Sequence, residues 1–273
     1  MPAIVFPIHR LFRIVRNLAL CLPPVADYHV RALIVMGPQL AKKAAIDTDA
    51  PSLGAYAVSR LRSDILALRL APGAKLRVKE LARDYRIGLV PIREALTELS
   101  GDGLVRFERQ RGFRVAPVSA EDFEDIARTR IALETMAFRR SVEMNSETWR
   151  NKLREAKGAY DEVIERAGDL TPISGHWEDR HRSYTEALIA GCESPTLIRF
   201  CLQLHDRFDR YRRLTIPAVG ELAAAALEED EIFNAAIAGD PSKAALALER
   251  HIRSLAELIA SRFALVNSRS EIA

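Results

Sequence analysis

The fold is decided by the stretch Glu80-Leu-Ala-Arg-Asp-Tyr-Arg-Ile-Gly-Leu-Val-Pro-Ile-Arg-Glu-Ala-Leu96, which is followed by Gly103-Leu-Val-Arg-Phe-Glu-Arg-Gln-Arg-Gly-Phe-Arg-Val115. In the first part, apolar residues recur at helical spacing in two short runs on either side of Gly88. In the second part, the period changes to two, and Gln110-Arg-Gly112 interrupts the alternation as a turn. Two short helices followed by a two-stranded hairpin are typical of a winged helix-turn-helix, which predicts a DNA-binding domain.

Each segment of this motif carries a local signal. Gly88 is expected to take the left-handed backbone that ends the first helix, and Pro91 suits the first turn of the second helix. Gly112 permits a positive φ at the hairpin turn. An earlier helix precedes the motif and stops at Ala71-Pro-Gly73. The apolar face of that earlier helix consists of Val58, Leu61, Ile65 and Leu68.

The charge is divided between the two parts of the chain. Residues 59–118 contain 13 Lys and Arg against 7 Asp and Glu, whereas residues 119–273 contain 21 against 27. The overall charge of +3 therefore hides a basic N-terminal module on an acidic remainder. Because neutralisation of phosphates supplies most non-specific affinity for DNA, this division indicates that one part of the chain binds DNA.

Residues 61–119 resemble the DNA-binding domain of GntR-type bacterial transcription regulators. The residues that carry the resemblance are Leu76, Glu80-Leu-Ala82, Pro91-Ile-Arg-Glu-Ala-Leu96, Leu99, Gly103-Leu-Val105 and Arg111-Gly112-Phe113. The family usually has Ser-Arg-Thr before that Pro, whereas this chain has Gly88-Leu-Val90, so Leu89 cannot inherit the DNA contact of the family's Arg. The resemblance places Arg93 and the wing-tip Gly112 at the DNA. Arg93 and the basic wing residues Arg109 and Arg111 are expected to contact phosphate or base edges. The Gly-x-x-Pro variant resembles a subgroup that includes the repressor of carbon-starvation-induced and glutarate-catabolism genes.

The length of 273 residues allows the winged helix and one further domain of typical size. The predicted domains are a leader at 1–53, the winged helix at 54–118, a helical domain at 119–265 and a tail at 266–273. The leader is interpreted as disordered or as an over-extended start, with Met1 and Met36 as alternative first residues. Three cysteines without a CxxC pair favour a reducing cytoplasm, and no stretch is long and apolar enough to span a membrane.

From about Ala120 onward, apolar stripes at helical spacing follow one another, separated by breaks. The breaks fall at Gly168-Asp-Leu-Thr-Pro172, Glu193-Ser-Pro195, Pro217 and Gly239-Asp-Pro241. This pattern predicts an antiparallel helical bundle and a mostly α-helical protein. Four stripes contain a residue that is costly to bury without a partner, namely Arg130, His181, Glu229 and His251. We expect these four side chains to converge on a central cavity, where they can serve as partners for one another. The alternative is that each is an isolated core or surface residue.

Residues 123–262 resemble the all-helical effector domain called FCD, found in the FadR-type subclass of the GntR family. Many members bind a divalent metal through an Asp or its substitute, a His four residues on and two later His. The resemblance places those ligands at His181, Thr185, Glu229 and His251, of which only His251 has the usual residue type. Because Thr185 is a poor ligand for zinc or nickel, the resemblance leaves a metal cofactor in doubt.

Arg130 matches a position that often faces the effector in this family, and a guanidinium is suited to bidentate capture of a carboxylate. Tyr211 and Arg213 are further candidates for the same cavity. The sequence therefore predicts a homodimeric regulator that binds a palindromic operator and is controlled by a small organic acid. It is expected to be cytoplasmic and to be nucleoid-associated when bound to DNA. We expect a repressor and not an enzyme. Two alternatives remain open: a constitutive DNA binder with a decayed effector site, and a metal-dependent helical-bundle enzyme with an accessory DNA module.

Overall fold

The computed structural model of the chain describes residues 52–166, 174–216 and 222–270. The predicted leader at 1–53 lies almost entirely outside the described residues, and so do the breaks predicted at 168–172 and Pro217. The predicted tail at 266–273 overlaps the last helix, which continues to Ser270.

The N-terminal domain is a winged helix-turn-helix, as predicted. Its three helices and three strands are α1 (Leu53–Leu66), β1 (Lys75–Leu76), α2 (Val78–Tyr85), α3 (Leu89–Gly101), β2 (Val105–Glu108) and β3 (Gly112–Val115). The strands form an antiparallel sheet in the order β1-β3-β2, with Phe107 opposite Phe113. Their apolar faces close one core, in which Leu61, Ile92 and Leu96 are fully buried. This core holds α3 so that its opposite side faces solvent.

The end of α2 differs from the sequence prediction. The left-handed residue is Arg86, with φ 56°, and not Gly88, which has an extended backbone and caps the start of α3. The cost of a left-handed Arg is offset because the N–H of Arg86 donates to the Arg83 carbonyl and the N–H of Ile87 donates to the Ala82 carbonyl. Ile87 is buried directly after this turn, so its burial favours the earlier stop. Helix α1 likewise ends at Leu66, before the predicted Leu68, which is itself left-handed with φ 58°.

The helical domain follows directly after the wing. Its helices within the described residues are α4 (Ala120–Met144), α5 (Glu147–Arg166), α6 (Gly175–Ile189), α7 (Pro195–Thr215), α8 (Ala223–Ile237) and α9 (Pro241–Ser270), with a short 3₁₀ turn at Ala190–Cys192. Helix α4 packs on α7 and α9, α5 packs on α6, and α8 packs on α9. The breaks predicted at Glu193-Ser-Pro195 and Gly239-Asp-Pro241 are confirmed, because α7 and α9 both begin at the prolines of these segments. The mostly α-helical architecture is therefore as predicted.

None of the helices in the described ranges is long and apolar enough to cross a membrane.

Candidate functional site

The exposed side of the winged helix carries arginines that have no partner among the residues that the structure describes. Arg93 on α3, and Arg109 and Arg111 at the hairpin turn, are exposed, and their guanidinium groups form no ion pair or hydrogen bond with another described residue. By contrast, Arg114 pairs with Glu108 at 3.2 Å, and Arg77 pairs with Glu80 at 2.8 Å. The guanidiniums of Arg93, Arg109 and Arg111 are therefore free to bind an anionic surface such as the backbone of DNA.

Gly112 fixes the shape of the hairpin turn that carries two of these arginines. Its φ is +84°, a left-handed conformation that favours glycine, and a Cβ placed there would meet no atom within 4 Å. The glycine is thus required by the backbone conformation and not by lack of space. Gln110 also has a positive φ of 64°, so the whole turn is tightly wound and projects Arg109 and Arg111 outward.

The helical domain contains a second candidate site, a small closed cavity. Polar side chains from five helices line it, namely Arg130 of α4, His181 and Thr185 of α6, His205, Asp209 and Arg212 of α7, Glu229 of α8 and His251 of α9. The structure thus brings together all four residues that the apolar stripes predicted to converge. The cavity volume is about 20 Å³, which leaves room for roughly one water molecule.

Glu229 lies between the two predicted histidines. Its Oε1 atom is 3.4 Å from His181 Nε2 and 3.9 Å from His251 Nε2, while His251 Nδ1 is 3.1 Å from Glu228. Burial by itself raises the pKa of Glu229, but the hydrogen bond and charge of His181, together with His251 and Tyr160, lower it below its usual value. Glu229 is therefore a carboxylate, and its second oxygen, Oε2, is buried without a hydrogen-bond partner among the described residues.

The residues at the position of the family's metal do not fit a resident metal ion. The Thr185 hydroxyl donates its hydrogen bond to the backbone carbonyl of His181, one helical turn earlier. Within the described ranges, no three or more His, Cys, Asp or Glu side chains are arranged to hold a metal. His181, Glu229 and His251 are instead joined to one another and to Glu228 by direct contacts.

Replacement of Thr185 should create the ligand set that the chain lacks. In Thr185→His, an imidazole one helical turn from His181 would face Glu229 and His251, and we expect zinc affinity to rise roughly tenfold or more. Thr185→Val is the matched control, because it keeps the size and adds no ligand. Equilibrium dialysis against competing chelators measures the change. Tight stoichiometric metal in the unmodified protein that survives the chelator would contradict this interpretation.

Arg130 is held from two sides at the cavity wall. Its Nε atom donates to Glu134 at 2.6 Å, its Nη2 atom lies 3.1 Å from His205 Nδ1, and its guanidinium stacks over the Phe208 ring at 4.6 Å. Burial, and then the charge of Arg130, lower the pKa of His205 well below its ordinary value. His205 is therefore neutral at pH 7 and accepts the hydrogen bond from Arg130 on Nδ1.

Arg212 is a second cationic group at the cavity that the sequence reasoning missed. Its guanidinium is 1% exposed, donates to Asp209 at 2.5 Å and to Glu178, and lies 4.8 Å from the Trp177 ring centroid. Its remaining Nη1 atom is buried with no hydrogen-bond partner among the described residues. A buried, unsatisfied guanidinium N–H is costly, and an anionic group in the cavity would remove that cost.

Tyr211 and Arg213, the other two predicted effector residues, do not line this cavity. The Tyr211 hydroxyl accepts from the Ser119 N–H at 3.0 Å and donates to Asp122 at 2.8 Å, so Tyr211 ties α7 to the start of α4. Arg213 pairs with Asp209 at 2.7 Å and Glu178 at 3.0 Å and lines a separate space between α1, α6 and α7. Both side chains have structural partners in place of the ligand-facing position predicted for them.

Helix α7 joins the cavity to the winged helix. On the side away from the cavity, Asp206 pairs with Arg62 of α1 at 2.8 Å and with Arg182 of α6. Gln203 of the same helix donates to Asp102 at 2.6 Å. Arg62 also pairs with Asp102. We call these five side chains the α7 latch. His205 and Asp209, on the same helix, border both the closed cavity and a space of about 270 Å³ behind the latch.

Asp206→Asn should weaken this latch measurably. Asp206 is 1% exposed, and removal of one partner from a buried ion pair typically costs about 3–5 kcal/mol. We expect roughly 2 kcal/mol lower free energy of unfolding, because Arg62 keeps Asp102 and Arg182 is partly exposed. Urea denaturation measures this. Asp125→Asn is the control, since its exposed pair with Arg128 should contribute less than about 0.5 kcal/mol. Equal effects of the two substitutions would contradict the latch.

Comparisons with known proteins agree with both domains. Residues 54–115 match the family model described as bacterial regulatory proteins, gntR family, and residues 125–254 match the FCD domain. The chain is 36% identical over 198 residues to the HTH-type transcriptional regulator BphR of Paraburkholderia xenovorans, covering 71% of this chain and 80% of that protein. It is 29% identical to the HTH-type transcriptional repressor GlaR of Escherichia coli, covering 70% and 89%. These proteins are named as transcription regulators, a class without catalytic activity.

Solved structures show the same fold. The Escherichia coli protein McbR/YncC superposes with a TM-score of 0.66 at 22% identity, covering 78% of this chain and 99% of that one. A GntR transcriptional regulator from Rhodococcus sp. RHA1 superposes with a TM-score of 0.62 at 20% identity, covering 77% and 98%. At these identities the superpositions support the fold alone.

Proposed function

Because this chain belongs to the GntR family of transcriptional regulators, with a winged helix joined to an FCD domain, we infer that it is a repressor whose operator affinity is lowered by a small organic acid. We assign direct base contacts to Arg93, whereas Arg109 and Arg111 hold the phosphate backbone beside Gly112. The observation that carries the regulatory part is the double role of α7, which walls the helical cavity and also bears the α7 latch.

The orphaned polar atoms of the cavity indicate the chemistry of the acid. Within the described ranges, Arg212 Nη1 is a donor and Glu229 Oε2 an acceptor without a hydrogen-bond partner, and both atoms are buried. A carboxylate would satisfy Arg212 together with Arg130, and a hydroxyl group would donate to Glu229. The effector that fits these atoms is therefore a small hydroxy acid. No metal is assigned a part in its binding.

The size of the cavity supplies the link to DNA. A space of about 20 Å³ cannot hold an acid unless the lining side chains move apart. Because His205, Asp209 and Arg212 are part of that lining, entry of the acid displaces α7 and the latch residues that contact α1. The acid then binds the expanded state more tightly, and this difference in affinity is all that allosteric control requires.

The regulator is proposed to act as a homodimer on a palindromic operator. One winged helix offers a small DNA-facing surface, and a two-fold dimer doubles the contacts on an inverted repeat. Both the operator contact and the reducing environment suited to the buried Cys192 and Cys201 agree with a cytoplasmic location.

A selection from random duplex DNA with the full chain tests the operator proposal. We expect enrichment of an inverted repeat whose half-sites lie about one helical turn, or a multiple of it, apart. Sedimentation at micromolar concentration should give a dimer. A persistent monomer that still binds its selected site tightly would contradict the dimeric arrangement.

A constitutive DNA binder is the second candidate, and the small cavity is the observation that favours it. The two candidates differ in their response to ligands. Thermal unfolding with matched acids, propionate against lactate and succinate against malate, separates them. A larger rise of the unfolding temperature with lactate or malate than with propionate or succinate supports the effector site. No shift with any small carboxylate supports the constitutive binder.

A further inference from the structure

The first turn of α3 presents two large apolar side chains to solvent. Leu89 is 51% exposed and Val90 is 66% exposed, and they are the first two residues of the helix. Gly88 precedes them with an extended backbone and contributes no side chain. The buried stripe of α3 consists of Ile92, Ala95, Leu96 and Leu99. Leu89 and Val90 are therefore not part of the hydrophobic core of this domain.

These two side chains lie on the same side of α3 as Arg93. Leu89 precedes Arg93 by four residues and Val90 precedes it by three, and both spacings place side chains on one face of a helix. That face has a positive character, because Arg93 pairs with no acidic side chain of the described residues and the N-terminus of a helix carries partial positive charge. Leu89 and Val90 should therefore contact the same surface that Arg93 contacts.

We propose that Leu89 and Val90 read the 5-methyl groups of thymine in the major groove, at base pairs next to the one that Arg93 contacts. The thymine methyl is the apolar group that standard base pairs present in this groove, and apolar side chains contact it directly. Arginine most often pairs with guanine, so each half-site is expected to contain a guanine flanked by thymine. Thymine recognition by Leu89 and Val90 rests on the proposed operator binding and adds a sequence preference carried by these two residues.

The discrimination comes from the methyl group alone. Leucine and valine side chains neither donate nor accept hydrogen bonds, so they cannot replace the water lost from the polar edge of any base pair. Only a thymine offers these side chains an apolar partner in return, so pairs without the methyl group are disfavoured at the flanking positions.

The test uses the full chain and a duplex selected by it from random DNA. Deoxyuridine replaces thymidine at each position in turn, which removes the methyl group and leaves the hydrogen-bonding edge unchanged. We expect about a fourfold loss of affinity at one or two positions of each half-site, the value for removal of one buried methyl group. Fluorescence anisotropy at fixed salt concentration measures the dissociation constant.

The variant Leu89→Ala/Val90→Ala should bind deoxyuridine and thymidine duplexes equally at those positions. Leu246→Ala, an equally exposed apolar residue on α9, is the control and should keep the wild-type loss. Leu89→Arg should shift the preferred base from thymine to guanine at one position.

Equal uracil effects in the wild type and the double alanine variant, or no uracil effect at all, would overturn the proposal. Failure of the wild type to enrich any duplex would overturn both this proposal and the operator-binding function. Enrichment of sites without thymine beside the Arg93 base would overturn this proposal and leave the function standing.

Discussion

Arg93→Ala is expected to abolish specific operator binding, with a loss of at least about 100-fold in affinity. A bidentate arginine contact to a base contributes about 1–3 kcal/mol, and a dimer on an inverted repeat loses two such contacts. The fold should be unaffected, because Arg93 is exposed and its guanidinium has no partner among the described residues. Anisotropy with the selected duplex and footprinting measure the loss.

Two further substitutions show whether this loss is specific. Arg111→Ala should weaken binding to every duplex by a similar factor and reduce the salt dependence by about one unit of slope, as expected for a phosphate contact. Arg128→Ala removes an exposed arginine of the helical domain and should leave affinity unchanged. Wild-type footprints with Arg93→Ala would show that the recognition-helix assignment is wrong.

The second large effect is expected at Arg130. Removal of its guanidinium should raise the concentration of acid needed to release DNA by about 10- to 100-fold, the value of a charge-assisted hydrogen bond to a carboxylate. Arg130→Ala alone would leave the carboxylate of Glu134, which is 1% exposed, buried without its partner, at a cost of about 3–5 kcal/mol. That variant could therefore fail through instability.

The paired variant Arg130→Met/Glu134→Gln avoids this problem, because it removes both charges and keeps the volume. We expect operator affinity within about twofold of the wild type, a native unfolding transition and loss of the acid response. Arg139→Met, an exposed arginine on the same helix, is the control. An unchanged acid response in the paired variant would show that the acid is not bound by Arg130.

The sequence predicted the convergence of Arg130, His181, Glu229 and His251 because each lies in an otherwise apolar stripe. A polar residue at a core position of an amphipathic helix faces inward, whatever the details of packing. Arg212 was missed for the opposite reason. It belongs to the run Arg210-Tyr-Arg-Arg213, in which adjacent polar residues point in all directions, and only packing decides which of them faces the cavity.

Tyr211 and Arg213 illustrate the same limit. Their neighbours Asp122, Asp209 and Glu178 come from other helices or from one turn away, and those contacts turn both side chains aside from the cavity. Gly88 illustrates a local limit. Glycine is favoured in the left-handed conformation, but burial of Ile87 moved the stop of α2 forward to Arg86. In both cases tertiary packing decided between arrangements that local preference allowed.

The central claim is that a ligand in the helical cavity and an operator at the winged helix oppose each other through α7. Linkage requires that the acid's effect on operator affinity equal the operator's effect on acid affinity. The direct measurement is isothermal titration of the stabilising hydroxy acid into the protein alone and into its saturated operator complex. We expect weaker acid binding to the complex, by the same factor by which the acid weakens operator binding. Equal acid affinity in the two titrations would contradict it.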